Sequence, residues 1–268
     1  MNYPPAKDGW VVHPITTVAL KSYNEQEGYP SLQVHKDMIQ CAAKQNYTPG
    51  AKQTQNGKTR MEKQEIINEF HKLFYNSCLW LDNTKWMGVP AQKCPLDLWV
   101  YQEIIYQLRP DYIIETGTCF GGSALFFAHL LDIINHGNII TIDINDAKGP
   151  KHNRIQYLIG QSIDANILQV VANLVRNSKT VMVVLDSDHQ KDNVYSEMHY
   201  YTPLVTLGSY LIVEDTDING HPIEWGLGPG PYEAVVDFLK THPEFEIDKT
   251  CEKFFMTQNP NGYLKRTK

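Results

Sequence analysis

The sequence predicts an α/β fold with a mainly parallel sheet and helices on both faces, and three observations carry that reading. From residue 112 onward, short β-branched runs alternate with amphipathic stretches of helical length. The first run, Tyr112-Ile113-Ile114-Glu115-Thr116, meets a glycine turn that ends at Gly121-Gly122 and opens a long apolar segment. Acids then recur where later strands end, at Asp143, Asp186 and Glu214-Asp215. Strands alternating with helices of this length build βαβ units, whose crossovers keep the strands parallel.

In chain order, residues 1–60 have no regular pattern. They hold prolines at 4, 5, 14, 30 and 49, and a polar stretch from Tyr47 to Lys58. Trp10, Val11, Val12, Ile15 and Tyr23 are apolar enough to pack but too few for a core. This segment reads as an arm that covers the rest of the chain or bridges to a second copy in a homodimer or higher homo-oligomer. Residues 61–268 read as the catalytic domain. Met61 to Tyr75 has helical spacing, with Ile66, Ile67, Phe70 and Phe74 on one face. Residues 79–90 are aromatic and loop-like. A second helix follows Pro95, striped by Leu98, Tyr101, Ile105 and Leu108 and stopped by Arg109-Pro110.

The alternation then becomes regular. Strands are predicted at 112–116, 139–144, 155–160, 180–186 and 209–214, with helices at 122–135, 164–177 and 190–206. In the first of these helices Leu125, Phe126, Leu130 and Ile133 have core-facing spacing. Gly226 to Pro231 is a hinge-like loop, and Pro231 is placed to open a helix over 232–240. Phe245 to Thr250 and Phe254 to Lys265 form a C-terminal antiparallel hairpin that closes the sheet.

Charge and cysteine usage narrow the function classes. The 268 residues carry a net charge of −6, with no lysine or arginine block, so a nucleic-acid partner is disfavoured. Cys41, Cys78, Cys94, Cys119 and Cys251 form no CxxC pair, which suits free thiols in a reducing compartment. The N-terminus has no apolar signal region, and no run approaches the ~18 apolar residues of a membrane span. These features predict a soluble, cytoplasmic protein.

The glycine turn is the expected cofactor site. Its glycines let the backbone approach a ligand, and the helix N-terminus beyond presents unpaired N–H groups. Asp143 lies 21 residues after Gly122 at a strand end, where a carboxylate accepts both hydroxyls of an adenosine ribose. That placement alone suits a nicotinamide enzyme and an S-adenosylmethionine (SAM) enzyme equally. The turn reads Glu-x-Gly-x-x-x-Gly-Gly, not Gly-x-Gly-x-x-Gly. An acid before the first glycine fits a cationic amino-acid end better than a pyrophosphate, which favours SAM. The expected contacts are Glu115, Gly117, Thr118, Gly121, Ser123, Asp143 and Asp186, with Gln161 and Ser162 beside the adenine.

The fourth and fifth strands end in Asp186-Ser187-Asp188-His189 and Glu214-Asp215-Thr216-Asp217. Adjacent strand ends lie ~4.8 Å apart, so these acids repel unless a cation joins them. An all-oxygen set of Asp186, Glu214 and Asp215 favours Mg²⁺ or another hard divalent cation over zinc. Taken singly, each acid is equally a helix cap. His189 and Asp188 follow directly as candidates for the general base. His35-x-Asp37 matches the start of an iron-binding triad but has no third partner.

Together, Glu115-Thr-Gly-Thr-x-x-Gly-Gly-Ser123, Leu185-Asp-Ser-Asp-His189, Val213-Glu-Asp215 and Gly228-Pro-Gly-Pro231 resemble the cephalosporin hydroxylase / rhamnosyl O-methyltransferase family. Trp86-Met-Gly-Val-Pro90 and Gln92-Lys-Cys-Pro-Leu-Asp-Leu-Trp99 fit it too, so the resemblance spans roughly residues 80 to 265. It implies a Rossmann-like class I methyltransferase fold and SAM- and Mg²⁺-dependent O-methylation of a hydroxylated small molecule, a sugar or glycosylated natural product. It also implies a metal on Asp186, Glu214 and Asp215, and a base at either Asp188 or His189. The alternatives are a nicotinamide-dependent oxidoreductase on the same fold, or a non-catalytic component of a biosynthetic assembly.

Overall fold

The structure, a computed structural model, describes residues 61–146, 149–224 and 228–268. The N-terminal arm, the His35-x-Asp37 pair and residues 226 and 227 of the 226–231 loop lie outside the described residues.

Five parallel strands form the body of a seven-stranded sheet: β3 (Tyr112–Thr116), β4 (Asn138–Asp143), β5 (Ile155–Ile159), β6 (Val181–Leu185) and β7 (Tyr210–Val213). With β8 (Phe245–Ile247) and β9 (Tyr263–Arg266), the order across the sheet is β5-β4-β3-β6-β7-β9-β8. The C-terminal pair is antiparallel as expected, with β9 inserted between β7 and β8. Strand order reverses between β3 and β6, and sheets of this kind bind ligands beyond the carboxyl ends of the strands at such a reversal.

Helices α3 (Pro95–Leu108) and α4 (Gly122–Ile133) cover one face. There Tyr101, Ile105, Phe127 and Leu131 pack on Ile113, Ile139, Val184 and Ile212. Helices α5 (Ala165–Val175), α6 (Lys191–Tyr201) and α7 (Pro231–Phe238) cover the other, over Ile114, Ile140, Val183 and Leu211. Strands β3, β6 and β7 are buried on both faces, which is why they read as unbroken apolar runs.

Several local expectations shift. The loop-like 79–90 stretch contains helix α2 (Leu79–Asp82) and a small hairpin of β1 (Lys85–Trp86) and β2 (Val89–Pro90). Its turn residues Met87 and Gly88 both have positive φ, as a two-residue hairpin loop requires. Helix α6 ends at Tyr201 and not at 206, because Pro203 supports only a short 3₁₀ turn there. In α4, Ile133 is exposed, while Phe127 and Leu131 take the core positions. In α1 (Lys63–Asn76), Ile66 and Phe70 are exposed and the buried residue is His71. Among the described residues, no helix is long and apolar enough to cross a membrane.

Candidate active site

The chain leaves β3 through Gly117 at φ 87°. A β-carbon there would lie 1.8 Å from the carbonyl oxygen of Asp186, so glycine is required where two neighbouring strand ends meet. Asp143, at the end of β4, turns back onto this loop. Its Oδ2 accepts the N–H groups of Thr118 and Cys119 at 3.1 and 3.0 Å, and its Oδ1 accepts that of Asn145 at 2.9 Å. The predicted ribose acid therefore also fixes the glycine turn.

Glu115 is wholly buried beneath the turn. Thr141 donates to its Oε2 at 2.7 Å and shares a further hydrogen bond with the Thr118 hydroxyl. Glu115 Oε1 has no hydrogen-bond partner among the described residues. Burial pushes this carboxyl up to about 7, against the pull of the Lys93 ammonium. Gly121 carries φ 75°, and Ser123 is buried in the first turn of α4. Gln161 and Ser162 follow β5, with Gln161 exposed and the Ser162 carbonyl accepting from Tyr201 Oη at 2.7 Å.

Beside this turn, β6 and β7 deliver the acidic residues in register, with Leu185 opposite Val213. Asp215 has φ 53°, which turns the chain away just after Glu214. Glu214 is buried and Asp215 half-buried. One donor atom each from Asp186, His189 and Asp215 lie within 4.8 Å of one another, and His189 Nε2 stands 3.4 Å from Asp215 Oδ2. Glu214 is engaged elsewhere: Tyr101 Oη donates to Oε1 at 2.6 Å and Lys93 Nζ to Oε2 at 2.7 Å. Lys93 also contacts Asp186 Oδ2. Of the expected metal ligands, the structure thus groups Asp186 and Asp215 with His189, and holds Glu214 against Lys93.

Burial pushes the carboxyls of Asp186, Glu214 and Asp215 above the usual range, while the Lys93 ammonium opposes that shift at all three. Burial would lower Lys93 itself, but Asp186, Glu214 and Glu115 outweigh it and hold its pKa well above normal. Asp188 is exposed, and its Oδ1 accepts the Gln190 N–H ahead of α6 at 3.0 Å, an Asx turn.

Three participants are absent from the sequence reading. Lys93 reaches the cluster from just before α3, and Tyr101 from the second turn of that helix. Glu197, buried on α6, accepts from the Ser187 hydroxyl at 2.7 Å and so braces the segment after Asp186. The one sequence signal for Lys93 is its place in Gln92-Lys-Cys-Pro, directly ahead of a helix with Pro at its first turn.

A family model described as rhamnosyl O-methyltransferase/CmcI matches residues 78–267. The chain belongs to that family. It is 36% identical over 209 residues to a rhamnosyl O-methyltransferase of Mycobacterium tuberculosis, covering 75% of this chain and 85% of that protein. A rhamnosyl O-methyltransferase of Mycobacterium leprae is 37% identical over 210 residues, covering 75% and 90%. A solved structure of CmcI described with Mg and SAM superposes at a TM-score of 0.56 and 21% identity, over 69% of this chain and 77% of that one. This likeness carries the fold. As a family member the protein is a SAM-dependent O-methyltransferase of class I architecture, and the nicotinamide and non-catalytic alternatives give way.

Proposed function

We propose that this family member methylates a hydroxyl of a sugar-bearing small molecule, with a hard divalent cation, Mg²⁺ first among them, at the ends of β6 and β7. One observation carries the reading: at the β3/β6 reversal, a buried glutamate with an unpartnered oxygen adjoins a cluster of carboxylates. The names of the mycobacterial relatives support a sugar acceptor, and the Mg and SAM of the CmcI structure support the ligands.

The residues fit both groups. Glu115 Oε1 makes no hydrogen bond of ordinary geometry, with the Ser123 hydroxyl close to this carboxyl, and the ammonium of a bound amino acid would give it a full partner. Gly117 packs against the Asp186 carbonyl and so sets the turn beside the carboxylate cluster, and Asp143, at the end of β4, would accept the ribose hydroxyls. SAM brings an electrophilic methyl group on a cationic sulfur. Asp186 and Asp215 would hold the metal, whose chemistry is to acidify and orient a coordinated hydroxyl. The chain's own work is to fix the acceptor oxygen in line with the methyl group and to remove its proton. His189, beside Asp215, is placed to take that proton.

The test is calorimetry with SAM, with and without Mg²⁺, joined to methyl transfer onto a panel of rhamnosides. The expected result is SAM binding in both conditions, with turnover on a rhamnoside only when Mg²⁺ is present. Turnover undiminished in EDTA would remove the metal from the reading, and transfer to non-sugar hydroxyls alone would remove the sugar.

A further inference from the structure

The carboxylate cluster contains a cation of its own. Lys93 is 2% exposed, its ammonium contacts Asp186, and it lies 2.7 Å from Glu214 Oε2. Glu214 is 5% exposed and Lys93 itself 2%, so bulk water does little to stand in for the ammonium. Coulombic attraction at contact grows several-fold between a wet surface and such an interior, and removing one partner leaves a charge uncompensated.

The lysine is also delivered with precision. It sits two residues before α3, and the first turn of that helix is pinned by Asp97. The Asp97 carboxyl accepts from Thr257 Oγ1 at 2.5 Å, the Gln258 N–H at 2.8 Å and Tyr263 Oη at 2.9 Å. Tyr101, one turn further along α3, holds the other oxygen of Glu214. Helix α3 and the residues just before it thus supply both groups that orient Glu214.

We propose that Lys93 is the resident counter-cation of this site, a positioning residue that keeps Asp186 and Glu214 gathered in the metal-free protein. Without it, Glu115, Asp186, Glu214 and Asp215 share a desolvated crevice with no buried ammonium among them, and their repulsion is relieved only when a divalent cation binds. Lys93 and that cation then stabilise the same negative field. By linkage, a substitution that harms the metal-free state more than the metal-bound state must tighten metal binding. This consequence rests on the metal reading above; the counter-cation role itself does not.

The experiment compares wild type with Lys93→Met by thermal melting in EDTA and in Mg²⁺, and by calorimetric titration with Mg²⁺ and Mn²⁺. The melting temperature of Lys93→Met is expected to fall much further in EDTA than in Mg²⁺, and its Kd for Mg²⁺ to drop by about tenfold, on the order of 1.4 kcal/mol. Equal drops in both conditions, or an unchanged or weaker Kd, would mean that Lys93 merely fills space. If Lys93→Met does not fold in EDTA, the Lys93→Met/Glu214→Gln double variant decides. Removing both charges is expected to restore a protein that folds and melts cooperatively in EDTA, and a double variant that also fails to fold while Glu214→Gln alone folds would overturn the proposal. If wild type binds no divalent cation, the metal reading fails while this coupling, measured in EDTA, still tests Lys93.

Discussion

A β-carbon on Gly117 would stand 1.8 Å from the carbonyl oxygen of Asp186, so the turn after β3 and the end of β6 are packed backbone against backbone. The glycine turn and the start of the carboxylate cluster are therefore in direct backbone contact. Gly117→Ala must both strain a backbone at φ 87° and push Asp186 aside. The expected outcome is a lower melting temperature, by well over ~1 kcal/mol in stability, and loss of SAM binding by calorimetry. A variant that keeps wild-type SAM affinity would show that the turn yields freely.

Under the proposed contact between Glu115 and the ligand amine, SAM binding depends on pH. The Glu115 carboxyl is pushed up to about 7 by burial, and a cationic ligand amine favours its ionised form. SAM affinity should therefore rise as pH increases from about 6 toward about 7.5, before the ligand's own α-ammonium begins to lose its proton near about 8. The sign for stability is opposite. A carboxyl raised in the folded protein contributes stability that declines as pH climbs from the unfolded value toward about 7. Glu115→Gln should flatten the affinity profile and bind SAM more weakly at pH 8. An equally steep profile in that variant would assign the titration to another group.

Much of this was legible in the sequence because the informative contacts are local or arise from sheet topology. The β-branched runs at 112–116 and 181–185 are bounded by turn-forming residues, and both are strands. Asp143 could be aligned with the glycine turn because a βαβ unit sets the carboxyl ends of its two parallel strands side by side. The bond from Lys93 to Glu214 spans 121 residues, and nothing in Gln92-Lys-Cys-Pro says whether a lysine is buried or solvated. The division between Glu214 and Asp215 was hidden likewise. They are adjacent in sequence, and only the left-handed turn at Asp215 and the Tyr101 hydroxyl separate their roles. The exposure of Ile66 and Phe70 escaped because periodicity marks an apolar face without saying what covers it.

Metal binding should discriminate among the acids. Asp186→Asn and Asp215→Asn are expected to abolish Mg²⁺ binding and turnover together. Glu214→Gln is expected to weaken Mg²⁺ by a smaller factor, since both of its oxygens already have protein partners. Titration with Mn²⁺ followed by electron paramagnetic resonance measures all three. A loss in Glu214→Gln as complete as in Asp186→Asn would show that Glu214 exchanges Lys93 for the metal.

The proton-transfer step separates two neighbours. Asp188 is exposed and already caps the Gln190 N–H, whereas His189 Nε2 faces Asp215 at 3.4 Å inside the cluster. A base must reach the proton it removes, and a neutral imidazole is well matched to that task near pH 7. The His189 backbone is held in place as well. The Pro229 carbonyl accepts the Lys191 N–H at 3.2 Å, and a β-carbon on Gly230 would lie 3.1 Å from the His189 carbonyl oxygen. His189→Ala should therefore keep SAM affinity and lose roughly 10²–10⁴ in kcat, the usual worth of a general base. Asp188→Asn should stay within a few-fold of wild type, because an asparagine oxygen still caps Gln190. Single-turnover methyl transfer at saturating SAM isolates this step from product release. A silent His189→Ala together with an inactive Asp188→Asn would move the base to Asp188.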